Sequence, residues 1–301
     1  MTATSITEPG IYPDFPIDVY HSDPTPGPSL TQSLAKIILD SSCAHAMYQH
    51  PKFAKVRPEE DDAEKYVKAR AIGDVAHKLI LGRGKDIAII DAADMRTKAA
   101  KEARDAAYAA GKLPILRAHC DQAEAVAKFF TMFLAVHEAG PLPDGDSEVA
   151  IFWQEDGIWF RALIDHLSKD RRVITDLKTT SLVVPPHEAG RRMDDSGWQI
   201  QAAQIDRGLN VLDPENAGKR VYRFISIEQN PPFGLVVNQL SEAVLTLGRK
   251  QLQQAVFQWI ECLRNGKWPC YAPVTNFPET PSYALTKWEA REQEMIWGQQ
   301  Q

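Results

Sequence analysis

Apolar residues recur at helical spacing through the first half of the chain and then switch to alternation. From Leu30 to about His50, "LTQSLAKIILDSSCAHAMYQH", they return every three or four positions up to Pro51, which predicts a helix ended by proline. A second helix is predicted from about Pro58 to Leu81, opened by the acidic "EEDDAE" that suits a helix N-terminus. "RTKAAKEARDAAYAAGK", Arg96 to Lys112, is alanine-rich, charged and weakly amphipathic, and predicts an exposed helix. A further apolar helix runs from Cys120 to about Glu138, before the turn-rich "GPLPDGD". Ahead of these, residues 1–29 contain "TEPGIYPDFP" and "DPTPGPS", whose prolines predict an extended N-terminal arm.

The period then changes. "SEVAIFWQ", "IWFRALIDHL" and "RRVITDLKTT" are short runs rich in Val, Ile, Trp and Phe, separated by "EDG" and "SKD", and they read as a β-meander. A helix from about Trp198 to Leu209, the strands "RVYRFISIEQ" and "FGLVVNQL", and a long helix from Ser241 to Arg264 follow. No internal repeat or long linker intervenes, so one domain is expected over residues 30–301, with a helical part at 30–140 and a core at 147–266. The expected fold is α/β, a central mixed sheet flanked by helices.

Within the meander, "VITDLKTT" places Asp176 and Lys178 on one face of a strand. A two-residue turn at Asp156-Gly157 puts Glu148 opposite Asp165. A two-residue turn at Lys169-Asp170 would set Asp165 against Ile174, Leu163 against Asp176 and Arg161 against Lys178. Glu148, Asp165, Asp176 and Lys178 then share a face with Ala150, Phe152, Leu163 and Ile174. Carboxylates clustered on a semi-apolar face repel one another and lose hydration unless a cation sits among them. Two readings stay open: a metal site, or a salt-bridged face using Arg161 and Lys178. A one-residue change in either loop would scatter the group. A metal held there by oxygen ligands would be Mg²⁺, suited to phosphodiester hydrolysis.

Composition adds bounds. The 301 residues are 44% hydrophobic and 25% charged, those of an ordinary globular protein. There is no run of about 18 apolar residues and no charged-then-apolar leader, so no membrane partner and a cytoplasmic location are expected. A net charge of −6 gives no global attraction to nucleic acid, although a local basic groove is compatible with it. Cys43, Cys120, Cys262 and Cys270 are far apart without a CxxC pair and read as reduced thiols.

Order and spacing across most of the chain resemble the RecB-like branch of the PD-(D/E)XK nucleases, most closely the RecE-type exonuclease VIII domain of phage and prophage recombination systems. The likeness runs from "SLTQSLAKIILDSSCAHAMYQHP" through "IGDVAHKLILG", "SEVAIFW", "RALIDHL" and "DLKTT" to "WQIQAAQIDRGL". It implies a restriction-endonuclease-like core with His77, Asp165, Asp176 and the Leu177 carbonyl as metal ligands, and with Glu148, Lys178 and Gln201 in catalysis. Ile205 stands where the family's Gln-x-x-x-Tyr helix has Tyr. The resemblance further implies Mg²⁺, with Mn²⁺ able to substitute, and resection of linear double-stranded DNA for a single-strand annealing protein. It also implies a homo-oligomeric ring, for instance a tetramer, with Lys55, Arg57, Arg191 and Arg192 as candidates for a basic channel. An iron–sulfur cluster is not expected, since four thiolates are normally needed and only Cys262 and Cys270 follow the core. The alternatives are a structure-specific or restriction-like endonuclease and a non-catalytic DNA-binding protein with this fold.

Overall fold

The computed structural model describes residues 5–53 and 64–298. It comprises a large unit ending at Pro269 and a small unit from Cys270 onward. In the large unit β1 (Gly10–Tyr12), α1 (Ile17–His21), β2 (Ser29–Leu30), α2 (Gln32–Asp40) and α3 (Cys43–Gln49) precede α4 (Glu64–Leu81), β3 (Ile87–Ile90), α5 (Lys98–Ala109), β4 (Leu113–Leu116) and α6 (Arg117–Val136). The core continues with β5 (Gly145–Glu155), β6 (Ile158–Ser168), β7 (Val173–Thr180), α7 (Ala189–Ser196), α8 (Trp198–Leu212), β8 (Val221–Glu228), β9 (Leu235–Gln239) and α9 (Glu242–Asn265). The small unit holds α10 (Ser282–Gly298). The helix expected over Leu30–His50 is two helices. Ser41 ends the first, and the Ser42 hydroxyl caps the second by accepting the His45 N–H.

Among the described residues a seven-stranded mixed sheet runs β1-β5-β6-β7-β8-β9, with β2 parallel to β6; β3 and β4 form a separate parallel pair. In the β5–β6 hairpin Asp156 and Gly157 both have positive φ, as a type I′ turn requires. Val149 lies opposite Ile164 and Ser147 opposite His166, which brings Glu148 level with Asp165. The β6–β7 register differs from expectation. His166 pairs with Thr175 and Leu167 with Ile174, so the connection spans Lys169–Arg172 and Asp165 is level with Asp176, not Ile174. The Ser168 hydroxyl builds this longer loop by accepting the N–H groups of Arg172 and Val173 at 3.2 and 2.8 Å. The slip is by an even number of residues, so side-chain parity survives.

One layer of helices packs Leu34, Trp198, Ala202, Leu209, Leu252 and Trp259 against Ile151, Trp153, Phe160 and Ile164. The α8–α9 contact is so close that a β-carbon at Gly248 would fall 2.0 Å from the Gln199 carbonyl oxygen. The other layer sets Ile72 and Val75 of α4 and Val126 and Phe130 of α6 against Leu177, Ile225 and Ile227. Residues 5–29 do not form an extended arm. Ile6, Phe15 and Tyr20 pack on Ala150, Phe152 and Trp159, and β1 pairs with β5, because the apolar residues between the prolines cover an otherwise bare sheet edge.

Candidate active site

Strands β6 and β7 part beyond the His166–Thr175 pair, and the gap is the floor of a cleft of about 510 Å³. In place of a backbone partner, the Leu177 N–H donates to Asp165 Oδ2 at 2.8 Å. The cleft is lined by Tyr20 and His21 of α1, Gln32 and Ser33 of α2, His77 of α4, Arg161, Leu163 and Asp165 of β6, Asp176, Lys178 and Thr179 of β7, and Gln201 of α8. The wall from the first 33 residues was missed by sequence reasoning, since its residues carry no spacing signal.

Asp176 sits at the centre, with 6% of its side chain exposed. Its Oδ2 accepts from Gln201 Nε2, Gln201 Oε1 accepts from Lys178 Nζ at 3.0 Å, and Lys178 Nζ lies 2.6 Å from Asp176 Oδ1, closing a ring of three side chains. The ammonium approaches Oδ1 away from hydrogen-bond geometry, and this buried oxygen has no hydrogen-bond partner. Burial pushes the Asp176 carboxyl up to about 6; Lys178 opposes the rise and the Asp165 charge adds to it. The Lys178 ammonium also lies over the Phe224 ring, 5.7 Å from its centre.

Helix α4 brings His77 to the same place. Its Nδ1 lies 3.9 Å from Asp165 Oδ2. The approach depends on Gly73, one turn earlier, where a β-carbon would fall 2.6 Å from Thr179 Oγ1. Gln229 fixes the helix by donating to the Ala69 carbonyl at 2.7 Å. Glu148 is placed differently. Its left-handed backbone, φ 53°, accompanies a carboxylate beside Gly84 that is raised by burial and opposed by His77, Arg83 and Lys78. It is near His77 but does not line the cleft. Leu177 is buried against the α4–α6 layer, so a role at the cleft would fall to its backbone. Ile205 is buried in the core on α8.

Arg161, an alternative salt-bridge partner for this face, is committed elsewhere. Its guanidinium pairs with Asp23 at 3.1 Å and bonds the Ser29 hydroxyl. Arg192 donates to the Val183 carbonyl at 2.7 Å and pairs with Glu188, which makes it a loop-holding residue; Arg191 is exposed beside Asp195. Lys55 and Arg57 lie outside the described residues.

Among the described residues no three His, Cys, Asp or Glu side chains are already gathered at ligand spacing. The donors nonetheless fit a hard divalent cation: the Asp165 and Asp176 carboxylates interact across the cleft floor, an imidazole stands beside them, and burial keeps the Asp176 carboxyl raised despite the Lys178 ammonium. No helix among the described residues is long and apolar enough to cross a membrane.

A family model described as a PDDEXK-like domain of unknown function (DUF3799) matches residues 58–277, and the chain belongs to that family. The fold is similar to that of a protein from Eubacterium rectale provisionally named an exonuclease, at a TM-score of 0.52 and 11% identity over 84% of this chain and 90% of that one. A phage-related exonuclease from Haemophilus somnus aligns at 12% identity over 64% of this chain and 95% of its own, with a TM-score of 0.30. No curated protein matches the sequence.

Proposed function

We propose that this protein is a metal-dependent deoxyribonuclease, specifically a Mg²⁺-dependent exonuclease of RecE type acting on linear double-stranded DNA. The observation that carries the reading is the buried Asp176 carboxylate, raised to about 6, facing Asp165 and tied to Lys178 and Gln201. Membership of a PDDEXK-like family and a fold similar to a provisionally named exonuclease support it.

Asp165, Asp176 and His77, with the Leu177 carbonyl, would hold the cation. When bound, Mg²⁺, or Mn²⁺ in its place, supplies charge stabilisation at the phosphate and a more acidic water. The chain's own groups do the rest. Water adds to phosphorus, one P–O bond breaks, and the products are a phosphate monoester and an alcohol. Lys178 neutralises charge as it develops on the phosphate oxygens and orients the attacking water. Gln201 keeps the ammonium and the Asp176 carboxylate in fixed relation. A ring-shaped homo-oligomer handing single strands to an annealing protein completes the proposal.

The test is incubation of the pure protein with linear and covalently closed duplex DNA, in Mg²⁺ or EDTA. Linear DNA is expected to be degraded in Mg²⁺ alone, and Asp176→Ala to lower the rate by about a thousandfold or more, as removal of a group acting in the transition state does. Cleavage that survives EDTA overturns the reading. Closed circles cut as readily as linear DNA by a protein that light scattering shows to be monomeric would replace the exonuclease with an endonuclease.

A further inference from the structure

Two thiols away from the cleft meet where α3 packs on α9. Cys43 is the first residue of α3, and its Sγ donates to Gln258 Oε1 of α9 at 3.4 Å. Cys262 stands one helical turn beyond Gln258 on the same face of α9, and its thiol is hydrogen-bonded to that of Cys43. Both residues are buried, 3% and 4% exposed, with the apolar core behind them. In front of them lies a cavity of about 1010 Å³ that both help to line. Phe257, which lines it too, is 60% exposed, so the cavity lies at the surface. A buried cysteine is ordinarily a small apolar core residue. Cys120 of α6 fits that description, equally buried with the Glu124 carboxylate 3.9 Å from its sulfur. The Cys43–Cys262 pair differs: each has a second sulfur within hydrogen-bond reach, and a small oxidant has a way in.

We propose that Cys43 and Cys262 form an oxidation site, independent of the cleft, at which hydrogen peroxide makes a disulfide that ties α3 to α9. The order of events follows from the two environments. Burial and the hydrogen bond with Cys43 push the Cys262 thiol up to about 12, so Cys262 keeps its proton and Cys43 is the sulfur that reacts first. Cys43, as its thiolate, attacks one oxygen of the peroxide: an S–O bond forms, the O–O bond breaks, and the departing hydroxide takes the Cys43 proton and leaves as water. Cys262 Sγ then attacks the Cys43 sulfur: the S–S bond forms, the S–O bond breaks, and the second hydroxide takes the Cys262 proton. Two thiols and one peroxide give one disulfide and two waters, the sulfurs supplying the electron pair that the peroxide accepts. A cross-link between residues so far apart in sequence restrains much of the unfolded chain, so the oxidised protein is the more stable form.

The test treats the full-length chain with hydrogen peroxide, in a Cys270→Ser background that removes the exposed thiol. The protein is then alkylated in urea and digested with trypsin without reductant; Lys52 and Lys250 lie between Cys43 and Cys262, so the two fall on separate peptides. The expected result is a fall from three alkylatable thiols per chain to one, with the Cys43 and Cys262 peptides joined and Cys120 still alkylated. Dithiothreitol should restore all three, and the oxidised protein should unfold at a higher urea concentration than the reduced one. In Cys262→Ser, Cys43 should instead be trapped by dimedone as a sulfenic acid, with no rise in the urea midpoint. The mapping of the Cys270→Ser protein decides the proposal even if Cys262→Ser does not fold. Recovery of both peptides unlinked and alkylated, Cys43 found as a sulfinic acid without a bridge, or Cys120 oxidised as fast as Cys43 overturns it.

Discussion

Two buried carboxylates, Asp176 lining the cleft and Asp23 behind the Arg161 side chain that also lines it, behave in opposite ways. Asp23, supplied by the N-terminal segment, is saturated: it accepts from the Thr25 and Ser29 hydroxyls, the Ser29 N–H, and the ring of His50 at 3.1 Å, and it pairs with Arg161. Burial pushes its carboxyl up, but His50, Arg161 and the Ser29 and Thr25 donors outweigh this and hold it well below the usual range. Asp176 has one amide donor, and the Lys178 ammonium lies 2.6 Å from its other oxygen; burial outweighs both and the carboxyl is raised. Arg161 and Asp165 are four residues apart on one strand, so the difference arises from what the rest of the fold delivers to each end of it. The saturated end holds the molecule together, and the proposed function assigns the ligand to the other end.

Breaking the saturated end is expected to have the largest effect on stability. Asp23→Ala leaves Arg161 and His50 buried without their acceptor and should cost about 3–5 kcal/mol, read as a lower midpoint in urea. A loss below about 1 kcal/mol would remove the contrast.

The opposite sign is expected at the other end. In EDTA, Asp176→Asn should stabilise the protein at pH 7 by up to roughly 3 kcal/mol, the equivalent of a carboxyl raised from 3.8 to about 6. The sign follows from proton binding. Between about pH 4 and pH 6 the folded state holds the Asp176 proton and the unfolded state has lost it, so stability falls as pH rises through that window. The asparagine variant should lack this fall and match the parent below about pH 4. Asp23 acts in reverse: its contribution is present above the ordinary carboxylate range and is lost as pH drops through and below it, which makes it a source of acid unfolding. Melting curves across pH 3 to 8 check both directions.

A divalent cation should sharpen the contrast by about 2.7 kcal/mol at a hundredfold excess over its dissociation constant. Mn²⁺ is expected to raise the melting temperature of the parent, leave Asp176→Asn nearly unmoved, and act on Lys178→Ala as on the parent, since the proposed mechanism gives the ammonium a part in turnover and none in ion binding. Equal shifts in the parent and Asp176→Asn would remove Asp176 from the ligands.

The smallest effect concerns how His77 is delivered. Gly73→Ala forces a β-carbon against Thr179 Oγ1 and should cost about 1–3 kcal/mol by overpacking while weakening Mn²⁺ binding. Adding Thr179→Ala, which removes the obstructing oxygen, should recover most of both losses in a calorimetric titration.

Much of the architecture was legible in the sequence because it depends on local periodicity. Alternation along "SEVAIFWQ", "IWFRALIDHL" and "RRVITDLKTT" marked the three central strands, and Asp156-Gly157 set the hairpin register that brings Glu148 level with Asp165. Helical spacing located α6, α8 and α9 to within a few residues. The β6–β7 loop was misread because its length depends on the Ser168 hydroxyl, which no propensity records; the two-residue error kept Asp165, Asp176 and Lys178 together at the cleft since side chains alternate with period two, whereas Glu148, with its left-handed backbone, lies outside it. Residues 5–29 were misread because proline content outweighed Phe15 and Tyr20, whose burial needs a sheet edge formed far along the chain.

What the sequence by itself determined was therefore which residues share a strand face, a consequence of backbone geometry over a few positions. The tertiary structure decided which of those residues are satisfied. Arg161 turns to Asp23, Gln201 and Lys178 close on Asp176, and Gly73 lets α4 bring His77 to within 3.9 Å of Asp165. Burial and partnership, unlike alternation, are set by segments 25 residues apart for Gln201 and Asp176 and 132 apart for Arg161 and Ser29, and they separate a carboxylate saturated by donors from one that burial keeps raised.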